Sequence, residues 1–132
     1  MAISNFAYDH PAYLTRFAAG SQTTPGNTTV SNRFVAFTDM IARSAQVTVI
    51  VAGTSATTGH VITVQKVSGT TTTALATATL GTSVIGVTTN LDLANTALAP
   101  GDLLISRSGT DATGAAAVSY ELSIRSGANL NI

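Results

Sequence analysis

Cysteine and tryptophan are absent from this chain of 132 residues, and charged side chains are scarce. Without cysteine the chain can form neither a disulfide framework nor a thiolate zinc site. This fits a protein that functions in a reducing compartment or within a larger assembly. The length is that of one domain, large enough to bury a core without metals or disulfides. We therefore expect a single packed domain with no bound cofactor or metal.

The scarcity of charge limits the choice of partners. Charged residues make up 9% of the chain and the formal net charge is zero, whereas soluble domains average about 25% charged residues. Nucleic-acid binders carry a basic excess, and so do helices that lie on membranes, so neither partner is expected. A neutral surface of small and hydroxyl side chains does not repel its neighbours, which favours a homo-oligomer or a partner-covered surface. The alternative is a surface that solvates itself with its own hydroxyls.

Long apolar runs are also absent. No stretch approaches the roughly 18 apolar residues that a membrane-spanning helix needs. Residues 1–10 have neither the basic region nor the apolar run of a signal peptide. We expect a protein that neither crosses a membrane nor is exported by such a signal.

Short β-branched segments separated by glycine turns fill most of the chain. They lie at residues 34–39, 46–51, 60–67, 75–80, 87–93, 102–107 and 118–124. No amphipathic helix of useful length appears among them, so a parallel sheet with crossover helices is not expected. The pattern predicts an all-β fold, an antiparallel jelly-roll-like sandwich of about eight strands.

Three local patterns refine this prediction. Both faces of residues 47–52 are largely apolar, which predicts a central strand. Ser68-Gly69 is the best hairpin signal. Ile85 and Val87 alternate in phase with Leu91 and Leu93, so they are expected on the buried face of one strand.

Residues 1–32 differ in composition from residues 33–132, which form the predicted sandwich domain. This first part reads as an arm with a polar linker over residues 21–29, and residues 11–19 have the pattern of two helical turns. It holds four of the seven aromatic residues: Phe6, Tyr8, Tyr13 and Phe17. These four are the candidate partner-binding residues. The arm either folds back over its own sandwich or docks on a neighbouring subunit.

Catalytic residues are not evident. Nucleophilic catalysis needs a base beside the nucleophile, but neither His10 nor His60 lies in a recognisable triad motif, and each is interpreted as a surface or edge histidine. Nothing selects a pair among the six acids, and Asp102 is interpreted as a cap of backbone amides in a turn. The only lysine, Lys66, follows no phosphate-binding glycine loop. We therefore expect that the protein is not an enzyme.

Ligand binding by other means has weak signals. Residues 108–114 offer one carboxylate and several hydroxyls, which is too little for a calcium loop. β-Sandwiches often bind carbohydrate, but sugar platforms commonly use exposed tryptophan, which is absent, and only the aromatic residues of the arm remain. A receptor- or carbohydrate-binding module on a virion or cell surface is therefore kept as the alternative function.

A family resemblance rests on three segments of the sequence, at residues 61–81, 98–103 and 109–118. Over about residues 45–125 the chain resembles small β-sandwich structural proteins of tailed bacteriophages, in particular head decoration (cement) proteins and head-fibre modules. The resemblance lies in the composition of these segments and in their order along the chain. The arm falls outside it.

The resemblance implies a non-enzymatic virion protein with no catalytic residues to carry over. Such a protein is made in the host cytoplasm and binds the outer surface of a phage capsid, where the major capsid protein is its partner. It forms a trimer at symmetric positions and clamps neighbouring capsid subunits. These implications are expectations about this chain.

Overall fold

Eight β-strands form two four-stranded sheets in the computed structural model of the chain, which describes residues 14–21, 32–54, 60–108 and 114–124. The strands are β1 (Leu14–Ser21), β2 (Asn32–Val35), β3 (Met40–Val51), β4 (Val61–Ser68), β5 (Thr71–Thr79), β6 (Thr88–Leu98), β7 (Leu103–Ser108) and β8 (Ala115–Ile124). The described residues include no helix long or apolar enough to cross a membrane.

The strand order is that of a jelly roll. The first sheet runs β1-β8-β3-β6 and the second runs β2-β7-β4-β5. The antiparallel ladders β1–β8, β2–β7, β3–β6 and β4–β5 are nested, and they alternate between the two sheets. This pattern is a long hairpin wrapped into two layers. The predicted all-β jelly-roll sandwich is confirmed.

The core lies between the two sheets and is built by alternation along the strands. Every second residue of a strand points to the same face, so one apolar face of each sheet meets the other. The first sheet supplies Met40, Val47, Val49, Leu91, Leu93, Leu98, Tyr120 and Leu122, and the second supplies Phe34, Ile62, Val64, Ala78 and Leu104. The prediction that residues 47–52 lie in a central strand is confirmed, because β3 lies between β8 and β6.

The hairpin predicted at Ser68-Gly69 joins β4 to β5. Ser68 pairs with Thr71, which leaves a loop of Gly69 and Thr70. Gly69 has a φ of 59°, as the first position of the mirror-image hairpin turns requires. A side chain there would meet no heavy atom within 4 Å, so glycine is needed for backbone conformation alone.

The division into an arm over residues 1–32 and a sandwich domain over residues 33–132 stays a prediction, but part of the predicted arm is a strand. Residues 14–21 form β1, which pairs with β8 from Leu14 opposite Ser123 to Ser21 opposite Ala117. The helical turns predicted over residues 11–19 are therefore wrong from residue 14 onward, since pairing with β8 outweighs local helix propensity. Residues 1–13 and most of the predicted linker lie outside the described residues.

A bulge interrupts β6 where it passes β3. Leu93, Ala94 and Asn95 lie between the pairs Ser44–Asp92 and Ala42–Thr96, and Ala94 and Asn95 have φ angles of 56° and 51°. Two side chains hold this conformation, because the Asp92 carboxylate accepts the Ala94 N–H at 2.7 Å and the Thr96 hydroxyl donates to the Leu93 carbonyl at 2.7 Å. The bulge keeps Leu93 in the core while the edge of the sheet bends.

Candidate interaction surface

The aromatic residues predicted to bind a partner are not brought together in the described part of the chain. Phe6, Tyr8 and Tyr13 lie outside the described residues. The structure places the backbone of Phe17 in β1, opposite Tyr120. The role assigned to these four residues stays a prediction.

An exposed apolar surface lies at the end of the sandwich where β3 finishes. It consists of Val51, Val84, Ile85 and Val87, and we call it the end patch. Val84 and Ile85 are 68% and 70% exposed, and Val51 and Val87 are also exposed. Isolated exposed apolar residues are ordinary, but a contiguous group of this kind marks an interaction site.

Main-chain hydrogen bonds bring the end patch together. The Val49 N–H donates to the Val87 carbonyl at 2.9 Å, and the Gly86 N–H donates to the Val49 carbonyl at 2.9 Å. These bonds extend the β3–β6 ladder and lay residues 84–87 alongside the end of β3. Gly86 has a φ of 92°, which allows the chain to turn before β6 begins.

The prediction that Ile85 and Val87 lie on a buried face is therefore wrong. β6 begins only at Thr88, and residues 84–87 form a turn in which the Val87 N–H donates to the Val84 carbonyl at 3.3 Å, so the strand alternation does not extend to Ile85 and Val87. Periodicity along the sequence does not show where a strand begins. Gly86, inside the apparent strand, was the one signal of this break.

His60 lies beside the end of β3, where Gly114 packs closely against both His60 and the Val51 carbonyl, and it is fully buried, with a relative exposure of 0%. It has a φ of 52°, and its carbonyl accepts the Leu80 N–H at 2.9 Å. Among the described residues neither ring nitrogen has a hydrogen-bond partner, and burial lowers the pKa of the imidazole. The interpretation of His60 as a surface or edge histidine is wrong; the ring is a neutral core group. His10 lies outside the described residues.

Gly114 closes the space beside the His60 ring. A Cβ atom at this position would lie 2.5 Å from His60 Nδ1 and 2.6 Å from the Val51 carbonyl oxygen. Only glycine allows the start of β8 to approach both groups so closely. His60, Gly114 and the end of β3 therefore support the end patch as one packed unit.

Charge is absent from the described segments around the end patch. Residues 45–54, 60–65, 80–91 and 114–120 contain no Asp, Glu, Lys or Arg. A surface of this composition contacts a partner through apolar burial and main-chain polar groups. It has no fixed charge that must be desolvated on binding.

The opposite end of the sandwich carries a buried carboxylate, Asp102. Its side chain accepts the Ala99 N–H at 2.9 Å and lies 3.3 Å from Lys66 Nζ, which also donates to the Ala97 carbonyl at 2.8 Å. The Ala99 N–H, then the Ser68 hydroxyl and Lys66, lower the pKa of Asp102 against the opposing effect of burial. The interpretation of Asp102 as a backbone cap is confirmed.

We expect an Asp102→Ala substitution to lower the free energy of unfolding by about 1–3 kcal/mol, because it leaves the Ala99 N–H without its acceptor. The folded-state pKa is depressed, so this stabilisation is present above the unfolded pKa of about 3.9 and is lost as the pH falls through the lower folded value. Urea denaturation at neutral pH measures the loss. Asp39→Ala is the control, since Asp39 is exposed; an equal loss from both substitutions would contradict the prediction.

A shallow polar pocket of about 110 Å³ lies on the outer face of the first sheet. It is lined by Ser44, Gln46, Ser119, Tyr120 and Glu121. Tyr120 contributes little side chain, because its ring is buried in the core, where burial raises the pKa of the phenol and the neighbouring Ser106 hydroxyl acts in the opposite direction. The pocket therefore offers hydroxyl, amide and carboxylate groups without an exposed aromatic ring.

The remaining candidate groups are dispersed. Among residues 32–54, 60–108 and 114–124, no three His, Asp or Glu side chains lie close enough to hold a metal ion. Of the weak calcium segment, only Ser108 and Gly114 are described, and both are buried. Residues 109–113 lie outside the described residues.

No model of a known protein family matches the chain, and no curated protein matches it. Among solved structures it is similar to a chain in the structure of infectious bursal disease virus Gx strain, with 15% identity, a TM-score of 0.35, and coverage of 86% of this chain and 30% of that chain. It is also similar to a chain in the structure of infectious bursal disease virus Gt strain, with 13% identity, a TM-score of 0.35, and coverage of 87% of this chain and 32% of that chain. This chain thus spans less than a third of either. At these values the similarity gives no argument about function, and the jelly-roll class rests on the strand order.

Proposed function

We propose that the chain is a non-enzymatic structural protein of a virus particle that binds the outer surface of a capsid. In this role it holds neighbouring copies of the major capsid protein together. The end patch is the observation that carries the proposal, because it is apolar, exposed and free of fixed charge. Exposed apolar groups in a folded domain indicate a protein partner.

The fold suits this role without determining it. Jelly rolls occur in viral capsid domains and in lectins, and a fold alone does not establish a function. A two-layer sandwich with a continuous core is rigid, which keeps the end patch in one geometry and limits the ordering cost of binding. On a capsid with many equivalent sites, weak individual contacts add up when one molecule, or one oligomer, engages neighbouring subunits.

Binding to capsids assembled without this chain tests the proposal. We expect the wild-type protein to sediment with such capsids and to raise their temperature of disruption. Ile85→Asp is expected to weaken binding at least about tenfold, because it places a charge in an apolar contact that must lose water. Ile85 is exposed, so the substitution leaves the fold intact.

Phe37→Asp is the matched control for this experiment. Phe37 is 66% exposed, similar to Ile85, but it lies at the opposite end of the sandwich beside the Asp102 turn. We expect it to bind like the wild type. Failure of the wild-type protein to bind, or equal binding by Ile85→Asp, would contradict the proposal.

The polar pocket at Ser44, Gln46, Ser119 and Glu121 is the observation that favours the alternative, a carbohydrate-binding module. Its groups can hydrogen-bond to sugar hydroxyls, but the absence of an exposed ring among them makes it the weaker candidate. A protein that ignores capsids and binds a glycan array, with loss of binding on Gln46→Ala, would favour this alternative.

A further inference from the structure

Each sheet of the sandwich ends in two edge strands, which are β1 and β6 in the first sheet and β2 and β5 in the second. An edge strand presents unpaired main-chain N–H and C=O groups, to which a strand of another molecule can add. Folded proteins protect such edges with charged side chains, proline, short length or bulges. The four edges of this sandwich differ in how far they use these devices.

Three of the edges are protected. β2 has only four residues and includes the exposed Arg33. β6 carries the exposed Asp92 and the bulge at Ala94–Asn95, and β1 includes Arg16. Each of these features hinders the approach of a further strand.

β5 differs from the other three. Its nine residues include no charged residue and no proline. Five of them are threonine, which has a high strand propensity, and one is leucine, which is apolar. Its one irregularity is a shift of register opposite Val64 and Gln65. The segment before this shift, residues 71–74, is regular, and we call it the open edge.

The open edge projects beyond the body of the sandwich. All four of its residues are exposed, although successive side chains of a strand point to opposite faces. Both faces of β5 are therefore exposed along the open edge. A second molecule can approach without displacing any packed side chain.

The hairpin geometry determines which main-chain groups are free. Ser68 and Thr71 flank the two-residue loop, so they form the hydrogen-bonded pair and Thr71 points its N–H and C=O towards β4. Thr73 does the same opposite Lys66. Thr72 and Ala74 then direct their N–H and C=O groups away from β4, at the open edge.

We propose that the open edge pairs with the open edge of a second copy of this chain, antiparallel and about a two-fold axis. This surface is self-complementary, since two uncharged threonine-rich strands offer identical donors and acceptors to each other. The protein already uses such pairs internally. Thr48 and Thr88 join their hydroxyls across β3 and β6 at 2.9 Å, and Thr63 and Thr77 do so across β4 and β5 at 3.3 Å.

This contact is independent of the proposed capsid binding, because the end patch lies at the other end of β4 and β5 from their connecting turn. Its symmetry also differs from that of the predicted trimer. A two-fold contact joins copies in pairs, whereas a trimer requires a different, head-to-tail interface.

Sedimentation velocity of the purified chain and two Thr72 variants tests the proposal. Thr72→Pro removes the outward N–H while leaving the internal ladder of the hairpin intact, and Thr72→Lys adds a charge to the edge without changing the backbone. We expect the wild type to dimerise and both variants to raise the dimer Kd at least about tenfold. Circular dichroism establishes that each variant is folded.

Thr82→Lys is the matched control, because Thr82 is exposed in the turn after β5 and not on the edge. We expect it to dimerise like the wild type. A monomeric wild type would overturn the proposal. So would a dimer or trimer of unchanged affinity in folded Thr72→Lys protein, or an equal loss of affinity in Thr82→Lys.

Discussion

A Gly114→Ala variant is expected to lose about 3 kcal/mol of its free energy of unfolding, the upper range for overpacking a buried site. The added methyl group would lie 2.5 Å from His60 Nδ1 and 2.6 Å from the Val51 carbonyl oxygen, and Cβ atoms essentially never approach heavy atoms closer than 3.0 Å. Val51 is held in β3 by its pairing with Ala115. Relief therefore requires the backbone of β3 or β8 to move, and not only a side chain.

Urea denaturation followed by circular dichroism measures this loss. Gly69→Ala is the control, because that position has open space and the substitution costs only the left-handed backbone conformation, about 1–2 kcal/mol. A His60→Asn substitution in the Gly114→Ala background is expected to recover part of the lost stability, because it removes the clash with the imidazole ring. The recovery is partial because the clash with the Val51 carbonyl persists. A Gly114→Ala variant less destabilised than Gly69→Ala would contradict the predicted clash.

The second large effect is a loss of stability in mild acid that depends on His60. Burial lowers the folded-state pKa of His60, while the unfolded chain titrates near 6.5. The unfolded state therefore binds the proton first. The stabilisation is complete above about pH 6.5, and it declines as the pH falls towards the folded pKa by at most about 1.4 kcal/mol per pH unit.

The charge would enter a site with no compensating group among the described residues. The end of β3, the starts of β4 and β8, and residues 80–87 contain no ionisable side chain other than His60. Both ring nitrogens lack a hydrogen-bond partner among the described residues, and burial disfavours the charged form of the ring.

Free energies of unfolding measured from about pH 8 to about pH 5 test this dependence. His60→Asn is the control, because asparagine does not titrate in this range and tolerates the φ of 52°. We expect a flat profile for this variant and a falling one for the wild type. Parallel profiles would show that another group is responsible.

Strand alternation was sufficient to predict most of the fold. β4, β6 and β8 each contain alternation of apolar and polar residues, and the Ser68-Gly69 turn aligned one hairpin. The nested ladders could be guessed only as a class, because pairing between strands far apart in sequence leaves no local signal. β1 was missed for this reason, since Leu14–Ser21 has no strand pattern of its own and becomes a strand by pairing with β8.

The candidate site was less accessible to sequence reasoning. His60 and Gly114 are 54 positions apart along the chain, and nothing in either segment indicates that they pack together. The end patch was hidden by its agreement with the strand pattern, because Ile85 and Val87 repeat in phase with core residues. Its exposure depends on the turn at residues 84–87, which main-chain hydrogen bonds to Val84 and Val49 hold in place before β6 begins.

The nested order of the ladders also determines how the chain can assemble itself. The β4–β5 hairpin closes the shortest loop, and each outer pair then closes a loop that the inner pairs have already shortened. Folding is expected to proceed outward from this hairpin, with β1 added last and released first. Amide exchange that is faster in β1 than in β3 would bear this out. Because β1 pairs with β8 alone, its release breaks one ladder and leaves the three inner ladders of the sandwich intact.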